Sequence, residues 1–300
     1  MNSKLKAWYQ ASRPPFFITT LVPLTLGLVL AEREIGEWPL GRFLLILFGA
    51  FVVYLAANIG NDYFDHLLGA DSGDSIGGSR VLQSGMLSSA ALRNSLVFLY
   101  SLGFISAVLL TVFSGQYGLW ILILFAGASS LFYVAPPIKY GYRGLGELFV
   151  FINMGPIMVC GTYWALAEHW NWTTLWYAMP IGLMVANILY FQNLPDMKTD
   201  EAVGKRTLAV RLGKKGSHMA FRFFWAVTYG FIIGLSLAGY ISLFALLSLL
   251  TLPLFIKADR YISGTGEWVE LDKHGHLIRK LYLSNGLIVI LATVFNKGPL

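Results

Sequence analysis

Charge is what this chain has least of. Only 13% of its 300 residues are Asp, Glu, Lys or Arg, against about 25% in an ordinary soluble domain. A water-soluble globular fold is thereby excluded. Cysteine is almost missing as well. The single Cys160 can form no intrachain disulfide, which excludes a disulfide-stapled scaffold and leaves packing as its expected role. Low-complexity sequence is absent, and no polar stretch is long enough to form a separate soluble domain.

Apolar sequence in long runs takes the place of charge. Nine stretches contain no charged residue at all: 16–31, 43–60, 96–113, 118–135, 148–167, 173–191, 223–239, 241–256 and 281–295. Most approach the ~20 apolar residues with which an α-helix crosses the hydrocarbon core. Backbone polar groups in lipid must be satisfied within the segment, so these stretches should be helical. The expected fold is all-α and integral to the membrane, with nine transmembrane helices. Lys4, Lys6 and Arg13 precede a run ending Val29-Leu30-Ala31, which has the form of a signal-peptide cleavage site. Pro14, Pro15 and Pro23 interrupt that run, and an uncleaved first helix is the expectation.

Basic residues orient the chain. With the N-terminus in the cytoplasm, 19 of the 22 Lys and Arg fall on the cytoplasmic side, and only Arg33, Arg42 and Lys297 fall outside. The positive-inside rule favours this arrangement, which implies a multi-pass protein of the cell (inner) membrane. The net charge of +6 therefore reflects topology and does not call for nucleic acid as a partner. Trp8, Trp38, Trp120, Trp170, Trp172 and Trp176 fall near helix ends, as an interfacial aromatic belt requires.

The long polar connections, 61–95, 192–222 and 257–280, all belong to the cytoplasmic side, and two of them hold related motifs. Asn58-x-x-x-Asp62 matches Gln192-x-x-x-Asp196, and Gly78-Ser79-Arg80-Val81-Leu82 matches Gly204-Lys205-Arg206-Thr207-Leu208. Four helices separate the copies, so both halves have the same orientation. The expectation is a single domain over 1–300, built of two parallel four-helix repeats, roughly 1–135 and 136–256, with a ninth helix at 281–295.

Within the first motif, Asn58, Asp62 and Asp65 share a helical face by their spacing, and Asp71 follows. In the second, Asp196 and Asp200 share a face, with Asn193 just before them and Pro195 suited to the first turn of a new helix. Five carboxylates on one membrane face repel each other unless a cation joins them. Mg2+ fits, since it takes oxygen ligands and fills its remaining positions with water and phosphate oxygens. Arg80, Lys198, Lys205 and Arg206 lie in the same connections, and Lys139 and Arg143 in the shorter cytoplasmic one between 135 and 148. Carboxylates, cations and Mg2+ together describe a diphosphate site.

These motifs resemble the UbiA superfamily of intramembrane prenyltransferases over nearly the whole chain. Within it they most resemble the 1,4-dihydroxy-2-naphthoate polyprenyltransferases of menaquinone and phylloquinone synthesis. The most specific strings are Tyr142-Arg143-Gly144-Leu145-Gly146-Glu147 and Gly204 through Gly213. Asn58–Asp71, Gly77–Gln83, Pro136–Glu147, Gly155-Pro156 and Asp196–Gly213 carry the rest. Two positions depart from other branches. His66 stands where a second acid is common, and Asp65 takes that role. Pro195 replaces an Arg, which shifts one phosphate contact to Lys198.

The resemblance implies that Asp62, Asp65, Asp196 and Asp200 are the catalytic acids. Together with Asn58 they would hold Mg2+, with Asp71 and Asn193 in support. Arg80, Lys139, Arg143, Lys198 and Lys205 would clamp the diphosphate of a polyprenyl diphosphate. An aromatic acceptor, 1,4-dihydroxy-2-naphthoate, would attack the allylic cation and later lose CO2; no residue is assigned to binding it. His66 reads as a solvated loop residue, Glu147 as a carboxylate at the positive end of a helix dipole, and Tyr63, Tyr133 and Tyr190 as packing residues. Two alternatives remain: another acceptor (4-hydroxybenzoate, homogentisate, a chlorophyllide or a glycerol phosphate), or a cation-coupled transporter using intramembrane carboxylates.

Overall fold

The computed structural model describes residues 3–70, 76–264 and 268–296. Among them every regular element is helical. In chain order the α-helices are α1 (Ser3–Ser12), α2 (Ile18–Ile35), α3 (Leu40–Leu68), α4 (Ser89–Ser114), α5 (Leu119–Phe132), α6 (Gly146–Ile152), α7 (Met158–Ala167), α8 (Thr174–Asn193), α9 (Met197–Ala202), α10 (Leu208–Leu237), α11 (Leu252–Gly264) and α12 (Gly275–Val294).

Each charge-free stretch falls largely on helical backbone, but the stretches differ in form. Six helical segments of the described residues are long and apolar enough to cross a membrane: α3, α4, α6–α7, α8, α10, and α12 with the helical turn before it. A seventh is reached if α1 and α2, bent 50° from each other, form one span. The break falls at Phe17, four residues beyond Arg13, whose φ of 49° is left-handed, just ahead of Pro14. The stretch 118–135 forms the shorter α5, and 241–256 forms a 3-10 segment, Leu243–Thr251, running into α11. The chain is thus a multi-pass, all-helical membrane protein.

Helix ends follow their sequences. Ser88 and Thr207 cap α4 and α10 by accepting from Ala91 N and Val210 N. Gly69, with φ 78°, ends α3 in the left-handed conformation that glycine adopts at least cost. Between α6 and α7, Asn153–Ile157 forms a π-helical turn around Pro156. Here Gly155 meets α8 almost backbone to backbone. A Cβ on it would lie 2.8 Å from the Ala178 carbonyl and 2.9 Å from Gly182 Cα.

Among the described residues two main apolar cores result, with a small third cluster of Ala70, Val134 and Tyr142. The larger joins α2, α7, α8, α10 and α12, with Trp225, Tyr163, Tyr177 and Tyr282 fully buried. The smaller packs Ala7 and Ala11 of α1 against Ala56 and Ile59 of α3 and Leu92 of α4. It thereby brings the α1–α2 bend, and Arg13, to the end of α3 that carries the acidic motif.

Candidate active site

Asn58, Asp62 and Asp65 occupy the last turns of α3, on one face, and both carboxylates are buried, 3% and 8% exposed. A helix C-terminus carries negative partial charge, so neighbours must supply the compensation. Arg13 Nη2 stands 2.7 Å from Asp62 Oδ1. Ser79 donates its backbone N–H to the same oxygen at 3.0 Å and its hydroxyl to Oδ2. Asp65 accepts from the Tyr142 hydroxyl at 2.6 Å and faces Lys205 Nζ at 3.6 Å.

The second motif is built on a break. α8 ends at Asn193, and α9 begins at Met197 with Asp196 as its N-cap residue. Pro195 therefore falls in the turn just before the new helix, slightly ahead of the first-turn position expected for it. The Asp196 side chain does not cap its own helix; Oδ1 accepts from Ile76 N at 3.1 Å, across to the loop that follows the first motif. Asp200 is 4% exposed, and its Oδ1 lies 3.4 Å from Lys205 Nζ. One ammonium thus spans the two motifs.

Burial dominates the electrostatics of the second motif. It pushes the Asp200 carboxyl up to about 6 in spite of Lys205. It also raises Asp196, against the pull of the Ile76 and Gly77 backbone N–H groups. Asp200 Oδ2 is buried and has no hydrogen-bond partner among the described residues. Among those residues, no three His, Cys, Asp or Glu side chains converge closely enough to hold a metal ion by themselves.

The segment between α5 and α6 bridges the two acidic motifs. Tyr142 sits with its ring 5.2 Å from Lys139 Nζ and 5.4 Å from Lys205 Nζ, and its carbonyl accepts from Arg206 N at 2.9 Å. Glu147, 3% exposed at the start of α6, accepts from Asn193 Nδ2 at 2.9 Å.

The remaining expected residues are placed as follows. Asn58 donates to the Tyr54 carbonyl in its own helix. Arg80 follows Ser79 with a left-handed φ of 58°. Lys198 is exposed on α9. Arg143 is exposed and donates to the Pro137 carbonyl of its own loop, so the structure does not bring it to either motif. His66 is exposed. Asp71 lies outside the described residues. Sequence reasoning missed Arg13, Ser79 and Tyr142 as partners of the acids. Arg13 carries only a topology charge in the sequence. Tyr142 opens one of the most specific strings and Ser79 stands within Gly77–Gln83, which was the available signal.

Next to this polar cluster opens a cavity of ≈ 360 Å³. Arg13, Asn58, Asn61 and Gln192 line its polar end, while Leu45, Ile46, Leu110, Leu122 and Met158 line the apolar part. From Asn61 to Leu45 the cavity follows α3 for about 24 Å at 1.5 Å per residue. Tyr133, Tyr140 and Phe149 also face it, with the Tyr140 and Phe149 rings stacked at 4.2 Å.

A charged mouth on a long apolar bore suits a substrate with an anionic head and a hydrocarbon tail, the province of membrane-embedded transferases of amphiphiles. Residues 20–266 match the UbiA prenyltransferase family, and the chain belongs to that family. It is a prenyltransferase, and the transporter alternative falls away. It is 35% identical over 262 residues to the UbiA prenyltransferase domain-containing protein 1 homolog of Drosophila melanogaster, covering 86% of this chain and 71% of that protein. It is 30% identical over 254 residues to the 1,4-dihydroxy-2-naphthoate octaprenyltransferase of Bacillus subtilis (strain 168), covering 83% and 80%. Its fold matches that of a UbiA homolog from Archaeoglobus fulgidus bound to GPP and Mg2+, with TM-score 0.65 and 14% identity, over 95% of this chain and 99% of that one.

Proposed function

We propose that the protein transfers a polyprenyl group from a polyprenyl diphosphate to 1,4-dihydroxy-2-naphthoate, with Mg2+, releasing diphosphate and CO2 in menaquinone or phylloquinone synthesis. The observation that carries this reading is the joining of the two acidic motifs through Lys205 beside an apolar cavity. The acceptor is supported by the similarity to the Bacillus subtilis naphthoate octaprenyltransferase. A second reading, another acceptor on the same machinery, is favoured by the Drosophila relative, whose name specifies none.

The donor set fits Mg2+. It is all oxygen, and the partnerless Asp200 Oδ2 is a buried acceptor that a cation would satisfy. Mg2+ commonly takes one or two carboxylates per ion with water and phosphate, so a split set of acids is compatible with it. Asn58, Asp62, Asp65, Asp196 and Asp200 would hold the metal, with Asp71 and Asn193 in support. When bound, the metal neutralises charge developing on the leaving diphosphate. Arg80, Lys139, Lys198 and Lys205 would bind the phosphates, with Arg13 joining them from the α1–α2 bend; Arg143, turned to its own loop, is left out of the clamp. The apolar cavity keeps water from the allylic cation, whose charge the faces of Tyr133, Tyr140 and Phe149 can stabilise. The naphthoate ring attacks that cation.

The fuller topology belongs to the same proposal. It comprises nine spans, two parallel four-helix repeats in one domain, and an N-terminus and active site in the cytoplasm. In support, the related motifs lie at the ends of α3 and α8, and the basic residues favour that side. Asp62→Asn and Asp196→Asn test the site. Each should lower turnover at least a hundredfold while thermal unfolding in detergent is kept. Near-normal turnover in either folded variant would overturn the metal assignment.

A further inference from the structure

A second polar pocket lies apart from the acids, where the start of α10 meets the end of α11. Its volume is ≈ 420 Å³, within the range of small-ligand sites, ~300–1,000 Å³. Lys214, Lys215, His218 and Ser263 supply its polar lining, and Met219 and Trp268 much of the rest. None of the described lining residues is acidic. Among the described residues, Asp259 stands beside the lining and is held by Arg222 through two hydrogen bonds of 2.8 Å and by His218 Nε2 at 2.8 Å. Arg222 offsets the Asp259 charge, and Lys214 and Lys215 bring two cations to the described lining.

The cluster is built to bind rather than to react. Ser263 Oγ, at 3.2 Å, and Asp259 Oδ1 both approach His218 Nε2, whereas a nucleophile–base relay places acid and nucleophile on opposite ring nitrogens. Trp268 is 7% exposed under Lys214, whose Nζ lies 5.6 Å from its ring centroid. Beside the pocket, Met219 and Phe223 are 65% and 67% exposed along α10 and offer an apolar track toward lipid. Basic pockets between membrane helices are recognised sites for phosphate headgroups.

We propose that this pocket binds a phosphate group, presented by an anionic phospholipid whose chains lie along α10, or by free phosphate. The test uses the full chain, delipidated in maltoside micelles. Phosphatidylglycerol or phosphatidylcholine is added and followed by native mass spectrometry, and inorganic phosphate is titrated by calorimetry. Saturable phosphatidylglycerol binding should weaken at least tenfold in Lys214→Gln/Lys215→Gln. It should change less than twofold in Lys4→Gln/Lys6→Gln, which removes the same charge elsewhere, and phosphatidylcholine should not distinguish the proteins. Phosphate binding lost in the double variant, with phosphatidylglycerol unaffected, would support the site and assign it a soluble ligand. Equal binding of both probes by wild type and double variant would overturn the proposal. If the double variant fails to fold, Lys215→Gln alone, at an exposed position, should weaken binding at least threefold, and no change would equally overturn it.

Discussion

Tyr142→Phe removes one oxygen atom and leaves the ring between Lys139 and Lys205 unchanged. The lost group donates at 2.6 Å to Asp65 Oδ1, on a carboxylate only 8% exposed. A hydrogen bond to a charged acceptor contributes about 1.5–3 kcal/mol, and each 1.36 kcal/mol is tenfold in rate. If that bond holds Asp65 in its working position, kcat/KM should fall by about 10- to 150-fold. The apparent Mg2+ requirement should rise with it. The assay is product formation by mass spectrometry over a matrix of prenyl diphosphate and Mg2+ concentrations, with thermal unfolding measured alongside. Tyr177→Phe is the control: its hydroxyl makes an equally short bond, 2.6 Å, to the Tyr240 carbonyl, remote from the acids. It should cost stability and leave kcat/KM alone. A folded Tyr142→Phe enzyme within twofold of wild type would refute the positioning role.

The remaining expectations can be checked on the same purified material. Glu147→Ala strands the Asn193 amide in a buried place. It should cost about 1–3 kcal/mol of stability, read as a lower unfolding temperature, and Glu147→Gln should recover most of it. Gly155→Ala forces a methyl against the Ala178 carbonyl and should destabilise by about 1–3 kcal/mol, measured the same way. Asp200, raised to about 6 by burial, must lose its proton before it can ligate a cation. Mg2+ affinity by calorimetry should therefore weaken as pH falls from 7.5 through 6, and Asp200→Asn should flatten that limb.

What was legible in the sequence is what depends on local pattern. Freedom from charge over 15 to 20 apolar residues marks a membrane segment, so every charge-free stretch found helical backbone. It cannot tell a continuous helix such as α3 from the 3-10 segment Leu243–Thr251, because both are equally apolar. Spacing brought Asn58, Asp62 and Asp65 to one face, and Pro195 announced the break before α9. Pairings across the fold left no such trace. Arg13 reaches Asp62 through 49 residues of chain, and in sequence it is one more basic residue ahead of the first span. Glu147 reads as a helix-dipole carboxylate, yet its partner Asn193 lies 46 residues away. Asn193, expected to support a metal, also joins α8 to α6 through its amide nitrogen.

The central claim is a metal-dependent transfer to a naphthoate, and a product assay in nanodiscs tests it most directly. The purified chain would receive geranylgeranyl diphosphate, Mg2+ and a panel of aromatic acceptors including 1,4-dihydroxy-2-naphthoate, with EDTA as control. The account predicts a decarboxylated prenyl-naphthoquinol, detected as such or as the quinone that air oxidation makes from it, formed from that acceptor and only with metal. Prenylation of a different acceptor in its place, or product formed equally in EDTA, would contradict it.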